Sequence, residues 1–409
     1  MWAKRLGASQ ESNQLKQQKQ FAIALVLAMI AALPAVAQNS RVYRDGSGWV
    51  EEITGSLQQT RNFKVTTDIG NIEVHGSNDS EIKYTIRKHS YSSSEESARR
   101  AFQQFVVKTA RSGDYAAIDA SWDEGRGRRF NAEFILNVPR NLQFIKVNTD
   151  GGNINASGLS GTLEAETGGG EVHFDDVGTV RAETGGGNIN VGNASGELKL
   201  ETGGGNIHVS SAGGPVKVES GGGSIWVGSS GAAYVETGGG SVKVEHCTGN
   251  AEVQTGGGTI DLGDVNGPVT LETGGGSIHL SSAKGPVRVT TGGGGLELWK
   301  LANGVRAETG AGTITAELVG TPHGSSSMET SSGDLTVYIA SDVKITIQAE
   351  IDTAFGQKIN SDFGEIKVNC EGGEYGPKNC SGHGSLNGGG QVLKLETTMG
   401  NINIRRGKR

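Results

Sequence analysis

The stretch Leu198-Lys199-Leu200-Glu201-Thr202-Gly203-Gly204-Gly205-Asn206-Ile207-His208-Val209 states, with small changes, a phrase that runs from Thr149 to Ala316. The Thr or Ser ahead of the glycines falls at Thr149, Thr167, Thr184, Thr202, Ser220, Thr237, Thr255, Thr273, Thr291 and Thr309, in steps of 17 or 18 residues. A fixed period of this length is the signature of a stacked repeat. On either side of the glycines apolar and polar residues alternate, Leu198 and Leu200 against Lys199 and Glu201, Ile207 and Val209 against His208. Period two over short runs predicts β-strands with one buried face. The triplet Gly203 to Gly205 is expected to permit positive φ and a tight reversal, and Ser210 to Pro215 to form the second turn of the coil.

Apolar pairs therefore recur every nine residues, Leu198/Leu200, Ile207/Val209, Val216/Val218, Ile225/Val227. A three-sided coil needs an apolar residue about every six positions, and none recurs that way. The predicted fold is all-β: a parallel β-solenoid of roughly 18-residue, two-strand coils rising ~4.8 Å per rung, stable only by stacking neighbours. The Thr column is placed inward, at the edge of the core. The column before it is mostly Glu (Glu183, Glu201, Glu219, Glu236), and Arg181, Lys199 and Lys217 stand two residues earlier on the same face. A charge-balanced, solvated face is the reading of these columns. The alternative, a calcium ladder, lacks an Asp recurring after the glycines.

Outside the array the chain reads in blocks. Residues 1–37 form an export signal: Lys4, Arg5, Lys16 and Lys19, an apolar run from Phe21 to Leu33, and Ala35-Val36-Ala37 for cleavage. The apolar run is short for a bilayer span, so no stable membrane span is expected once the signal is removed. Residues 38–60 read as a flexible polar lead. Residues 61–148 make an N-terminal cap and first coil, with a helix starting at Ser92 to Glu96 and carrying Ala98, Ala101, Phe102, Phe105 and Val106 on its apolar face. The regular array occupies 149–320, and irregular C-terminal coils and a cap 321–409. Glu371 to Gly390 reads as a glycine-rich loop holding Cys370's partner, since an oxidising destination permits a Cys370–Cys380 disulfide. Cys247 is read as a lone thiol in a turn.

Val138-Pro139-Arg140-Asn141 and Val147-Asn148-Thr149-Asp150-Gly151-Gly152-Asn153-Ile154 resemble the entry to an adhesin family of exported bacterial proteins, long filed as a domain of unknown function. Ile359 to Phe363, Gly384 to Gly390 and Thr397 to Ile404 are similar too, so the resemblance spans roughly Phe63 to Ile404. It implies a β-solenoid with an extracytoplasmic, adhesive role and supplies no catalytic residues. The long, regular central array departs from that pattern.

The net charge of −7 and the lack of a basic groove with interleaved aromatics argue against nucleic acid as a partner. The glycine triplets are no phosphate loop, because no Gly-Lys-Ser/Thr follows a strand and opens a helix. Asp175, Asp176, Asp261 and Asp264 are isolated acids, without the gathered carboxylates a polysaccharide-cleaving enzyme needs. The expectation is an exported, non-catalytic, adhesin-like structural or interaction protein without a cofactor, whose partner is a surface glycan or a matrix or envelope protein. An envelope-stress or signalling accessory with a ligand on a sheet face is the alternative. The outward column His173, Asn190, His208, Trp226, Lys243, Asp261, His279, Glu297 is the expected contact face, centred on His208, Trp226 and Lys243.

Overall fold

Strand propensity and the 18-residue period act together in the computed structural model, which describes residues 38–46, 48–123, 129–372, 376 and 378–407. The export signal assigned to residues 1–37 lies outside the described residues. Each coil of the array holds a first strand, such as Leu198–Thr202, and a second, such as Ile207–Ala212. Each strand pairs in parallel with its equivalent one coil away: Leu198↔Val216 and Thr202↔Ser220 in the first stack, Ile207↔Ile225 and Val209↔Val227 in the second. The result is a parallel β-solenoid with a continuous apolar core, in which Leu198, Leu200, Ile207 and Val209 are all buried.

The second strand is longer than its alternation suggests. It bends after Val209 and buries a third side chain, giving an inward corner column Ala194, Ala212, Ser230, Cys247, Val265, Ala283. The expected turn at Ser210 to Pro215 is therefore half strand. Cys247 is no turn thiol: it ends the strand Val242–Cys247, and burial places it in the core between Ser230 and Val265.

The glycine triplets act differently from the expectation. None from Gly168 to Gly294 has a positive φ. Their role is close approach. A Cβ on the first or third glycine would collide with the carbonyl of the same glycine one coil earlier, Gly221 with Gly203 and Gly223 with Gly205, whereas the middle position, Gly222, faces open space. The adjacent Thr explains why the turns sit so close. Thr202 Oγ1 donates to Gly187 O of the previous coil at 2.8 Å and accepts from Gly205 N of its own turn at 3.1 Å. The first of these bonds recurs without interruption from Thr149, which donates to Gly70 O, to Thr397, which donates to Gly333 O. A second ladder lies beside it, where Asn188 Oδ1 accepts from Asn206 N and Asn206 Oδ1 from Ser224 N.

Both ends are closed by folding a coil back into the stack. At the N-terminal end the strands Asn62–Thr67 and Asn71–Ser77 lie between the coil of Phe144 to Ser157 on one side and the strands Tyr115–Trp122 and Phe130–Pro139 on the other. At the C-terminal end the last coil, Val392–Met399 and Ile402–Arg406, inserts between Ser326–Ser332 with Leu335–Ile339 and Ile345–Ala354 with Ile359–Ser361. Beyond these coils pairing turns antiparallel. Lys378–Leu386 pairs with Ile345–Ala354 and with Lys367–Glu371, so the expected glycine-rich loop contains a strand, and Cys370 is bridged to Cys380 across that last pair.

The expected flexible lead is also strand. Asn39–Asp45 and Gly48–Gln58 form a hairpin whose second strand lies against Glu81–Ser90, burying Val50, Ile53 and Leu57. Its polar residues look aperiodic because they face partners: Glu52 accepts from Arg41 at 2.9 Å and from Arg87 at 3.1 Å. The Arg87 hydrogen bond, and behind it that of Arg41, hold the Glu52 carboxyl below its ordinary range despite burial. Helix α1, Glu95–Gln104, is capped by Ser94, whose side chain accepts from Ser97 N, and buries Ala98 and Phe102. It stops before Phe105 and Val106, which begin the strand Phe105–Ser112; Phe105 packs with Trp122 and Phe130 instead of extending the helix face. Lys88 Nζ donates to Phe102 O at the end of α1 and pairs with Glu51 at 2.8 Å, supplying the positive charge that favours a helix C-terminus.

Thr202→Val keeps the shape and removes the hydroxyl, leaving the buried Gly187 O and Gly205 N without that partner; denaturant unfolding should show a loss of about 1–3 kcal/mol, and an unchanged midpoint would contradict the role given to the hydroxyl. Gly223→Ala should destabilise strongly through its clash with Gly205 O, while Gly222→Ala should leave the melting temperature unchanged or slightly raised, by about 0.4–1 kcal/mol of stability. Equal effects of the two would contradict the close-approach account.

Candidate functional site

The outward column of the second stack is built by the same alternation that fills the core. With Ile207, Ile225 and Val242 turned inward, His208, Trp226 and Lys243 must face outward, and the register aligns them on successive coils. His173, Asn190, Asp261, His279 and Glu297 continue the column in the same register. The structure therefore brings all of the expected contact residues onto one sheet face.

Trp226 is half-buried, not freely projecting. Its ring stacks on His208 with centroids 4.1 Å apart and an interplanar angle of 15°. The ring leans along its own strand over Gly228, where an added Cβ would come within 2.9 Å of Trp226 Cη2. Its Nε1 donates to Glu245 at 3.4 Å, and Glu245 also pairs with Lys243 at 3.2 Å. The indole thus has one face covered by His208, a polar edge held by Glu245, and its other face toward the coil of Lys243. A shallow, mostly apolar groove beside it is lined by Ile207, Ile225, Trp226 and Val242, with Ser224 and Ser241 one residue ahead of the inward positions.

The first stack presents a different surface. Lys199 pairs with Glu201 at 2.7 Å and Lys217 with Glu219 at 2.9 Å, each along one strand, and Lys146 holds Glu164 and Glu166. The hydrogen bond from Lys199 lowers the Glu201 carboxyl's pKa, and that to Glu219 raises the Lys217 ammonium's. Exposed pairs of this kind contribute little stability; they keep a like-charged column from repelling itself. Tyr234, 38% exposed, stands in the lysine position of its coil and contacts Asn250 through its hydroxyl.

The isolated acids are spread along the solenoid. Asp175 accepts from Asn193 N, Asp176 pairs with Arg140, and Asp264 accepts from Ser282. Among the described residues no group of three or more His, Cys, Asp or Glu is placed to hold a metal ion, and no helix is long and apolar enough to cross a membrane.

Reading single columns from sequence missed a second aromatic group on this side of the molecule. Trp299 and Tyr338 lie 6.2 Å apart between centroids, tilted by 30°. Trp299 keeps the regular 18-residue step from Ser281, but the following strand, Ile314–Leu318, is one residue shorter than Leu296–Leu301, so the step from Trp299 on to Tyr338 is irregular and the pair does not stand out as a column.

No family model matches the chain, and no curated protein matches it. Two solved structures are similar in part. One is a protein from Clostridium sporogenes whose name gives it a provisional cell-adhesion role; it is 11% identical, covers 87% of this chain and 99% of its own, and has a TM-score of 0.18. The other, provisionally named an adhesin, is from Bacteroides fragilis; it is 14% identical, covers 70% of this chain and 96% of its own, and has a TM-score of 0.22.

The His208–Trp226 stack can be tested on its own. A double-mutant cycle on His208→Ala and Trp226→Ala should give a coupling of about 0.5–1.5 kcal/mol in unfolding free energy; additive effects of the two changes would show that the rings do not support one another.

Proposed function

We propose that this protein is an exported, non-catalytic, adhesin-like interaction protein that meets its partner, a surface glycan or a matrix or envelope protein, on the outward face of the second strand stack, at His208, Trp226 and Lys243. The observation that carries this reading is the Trp226 ring, stacked on His208 and held by Glu245, on an otherwise polar sheet face. A rigid indole with one covered face beside a shallow, mostly apolar groove suits contact with a partner, because it gives up little conformational freedom on binding. The non-catalytic part is supported by the scatter of the acids, since Asp175, Asp176 and Asp264 are each engaged by a different neighbour. Export is supported by residues 1–37 as read from the sequence and by the Cys370–Cys380 bridge.

The test is a binding screen of the purified protein against glycans and matrix proteins. Trp226→Ala should lower binding at least tenfold while the protein still unfolds in one cooperative transition, its stability reduced by no more than the modest loss expected from the His208 stack. Tyr115→Ala, which removes an exposed aromatic from the N-terminal cap, should not. Equal binding by all three proteins would contradict the site, and release of sugars from cell-wall glycans would contradict the non-catalytic reading.

A further inference from the structure

Asn266-Gly267, Asn303-Gly304 and Asn387-Gly388 are the three places where an asparagine precedes a glycine in this chain. A glycine amide is the least hindered backbone nucleophile that can reach the side chain before it, since no Cβ crowds it. The fold treats the three differently. Gly267 N is committed to Gly249 O of the previous coil at 2.9 Å. Asn387, at a φ of 51°, is tied by Nδ2 to Ser341 O at 3.0 Å and to Val343 O at 2.8 Å. In the first case deprotonating the amide breaks a hydrogen bond between coils. In the second, losing the side-chain nitrogen leaves two carbonyls without that donor.

Asn303 is arranged for reaction. It lies in the turn between the strands Leu296–Leu301 and Val305–Thr309. Gly304 N donates to Asn303 Oδ1 at 2.8 Å, closing a ring that sets the amide nitrogen beside the side-chain carbonyl. Among the described residues that N–H meets no backbone acceptor, so no bond between coils holds its proton. His323 N, from the turn that follows the array, donates to the same oxygen at 3.2 Å. Two N–H groups converging on one atom mark it as the carbonyl oxygen. The His323 bond also polarises that carbonyl and is placed to stabilise an oxyanion forming there.

We propose that Asn303 is a site of self-deamidation, the Asn–Gly step that this fold holds in a reactive arrangement. A solvent hydroxide takes the Gly304 N–H proton. The nitrogen attacks Asn303 Cγ, the Cγ–Nδ2 bond breaks, and Nδ2 leaves as ammonia with a proton from water. Water then opens the five-membered imide, at Cγ to give aspartate or at the main-chain carbonyl carbon to give isoaspartate. No oxidant or reductant takes part, and the turn contributes by holding nucleophile and carbonyl together. Isoaspartate carries the main chain through Cγ. It lengthens a turn whose Gly304 O also accepts from Val287 N at 3.0 Å, and it displaces the acceptor that His323 N uses. The junction between the array and the C-terminal coils is thereby marked and loosened with age. The site is separate from His208, Trp226 and Lys243 and does not depend on what they bind.

Peptide-resolved mass spectrometry on the full protein, incubated folded at mildly alkaline pH, measures amide-to-acid conversion at the three sites. Asn303 should convert at least tenfold faster than Asn266 or Asn387 and yield both aspartate and isoaspartate. In denaturant the three rates should converge, because each asparagine then has only its glycine neighbour to react with. A Cβ on Gly304 would meet nothing closer than Gly324 O at 3.5 Å, so Gly304→Ala should keep the fold, and by hindering the nucleophile it should slow conversion at Asn303 at least tenfold. Conversion in the folded protein that is equal at the three sites, or led by Asn266 or Asn387, would overturn the proposal. So would a lead of Asn303 that persists unchanged in denaturant, since it would come from the sequence and not from the turn.

Discussion

The hydrogen bond from each turn threonine to the glycine carbonyl of the preceding coil is the interaction on which this architecture depends. It sits where the chain passes from the first strand to the second: the first glycine's amide still continues the ladder, Gly203 N to Thr184 O at 3.1 Å, while the carbonyl and amide of the third glycine turn to the threonine hydroxyls instead. A buried carbonyl and amide at every turn would be a repeated penalty. One hydroxyl satisfies both, donating to Gly187 O and accepting from Gly205 N at Thr202. The contact is possible only with the turns stacked closely, and that spacing excludes a side chain at the first and third glycine positions. The glycine content of the chain thus follows from hydrogen bonding between coils.

A stack satisfied coil by coil still has two open ends. Both are managed by placing the first or last coil inside the stack and covering it with strands that switch to antiparallel pairing. At the N-terminal end the switch adds a hairpin, an aromatic cluster and a helix whose last turn is met by Lys88. At the C-terminal end it adds the strand that carries Cys380. Such ends do not continue the parallel ladder, which limits edge-to-edge growth.

The coil, its two strands, the inward Thr column and the outward column of His208, Trp226 and Lys243 were legible in the sequence, because each depends only on period and alternation. The corner column containing Cys247 was not, because a bend after Val209 breaks the alternation and leaves Ala, Ser, Cys and Val in a stretch that reads as a turn. The hairpin of Asn39–Asp45 and Gly48–Gln58 was hidden for a related reason: its Glu and Arg side chains pair across strands, so burial there does not track hydrophobicity. The Trp299–Tyr338 pair depended on the shortened strand Ile314–Leu318 that lies between their coils, and the insertion of the last coil on long-range pairing between Thr330 and Thr397; local pattern carries neither.

The same rigidity that the turn bonds give the core fixes the spacing of side chains on the outer face, and any recognition by that face inherits its regularity. The most direct measurement is amide hydrogen exchange resolved by residue in the array. The account predicts that the third glycine of each triplet, Gly205 or Gly223, is protected to the level of its flanking strand amides, while the middle glycine, Gly204 or Gly222, exchanges faster, and that Thr202→Val removes protection at Gly205 first. Exchange at Gly205 as fast as at Gly204 in the unaltered protein would contradict it.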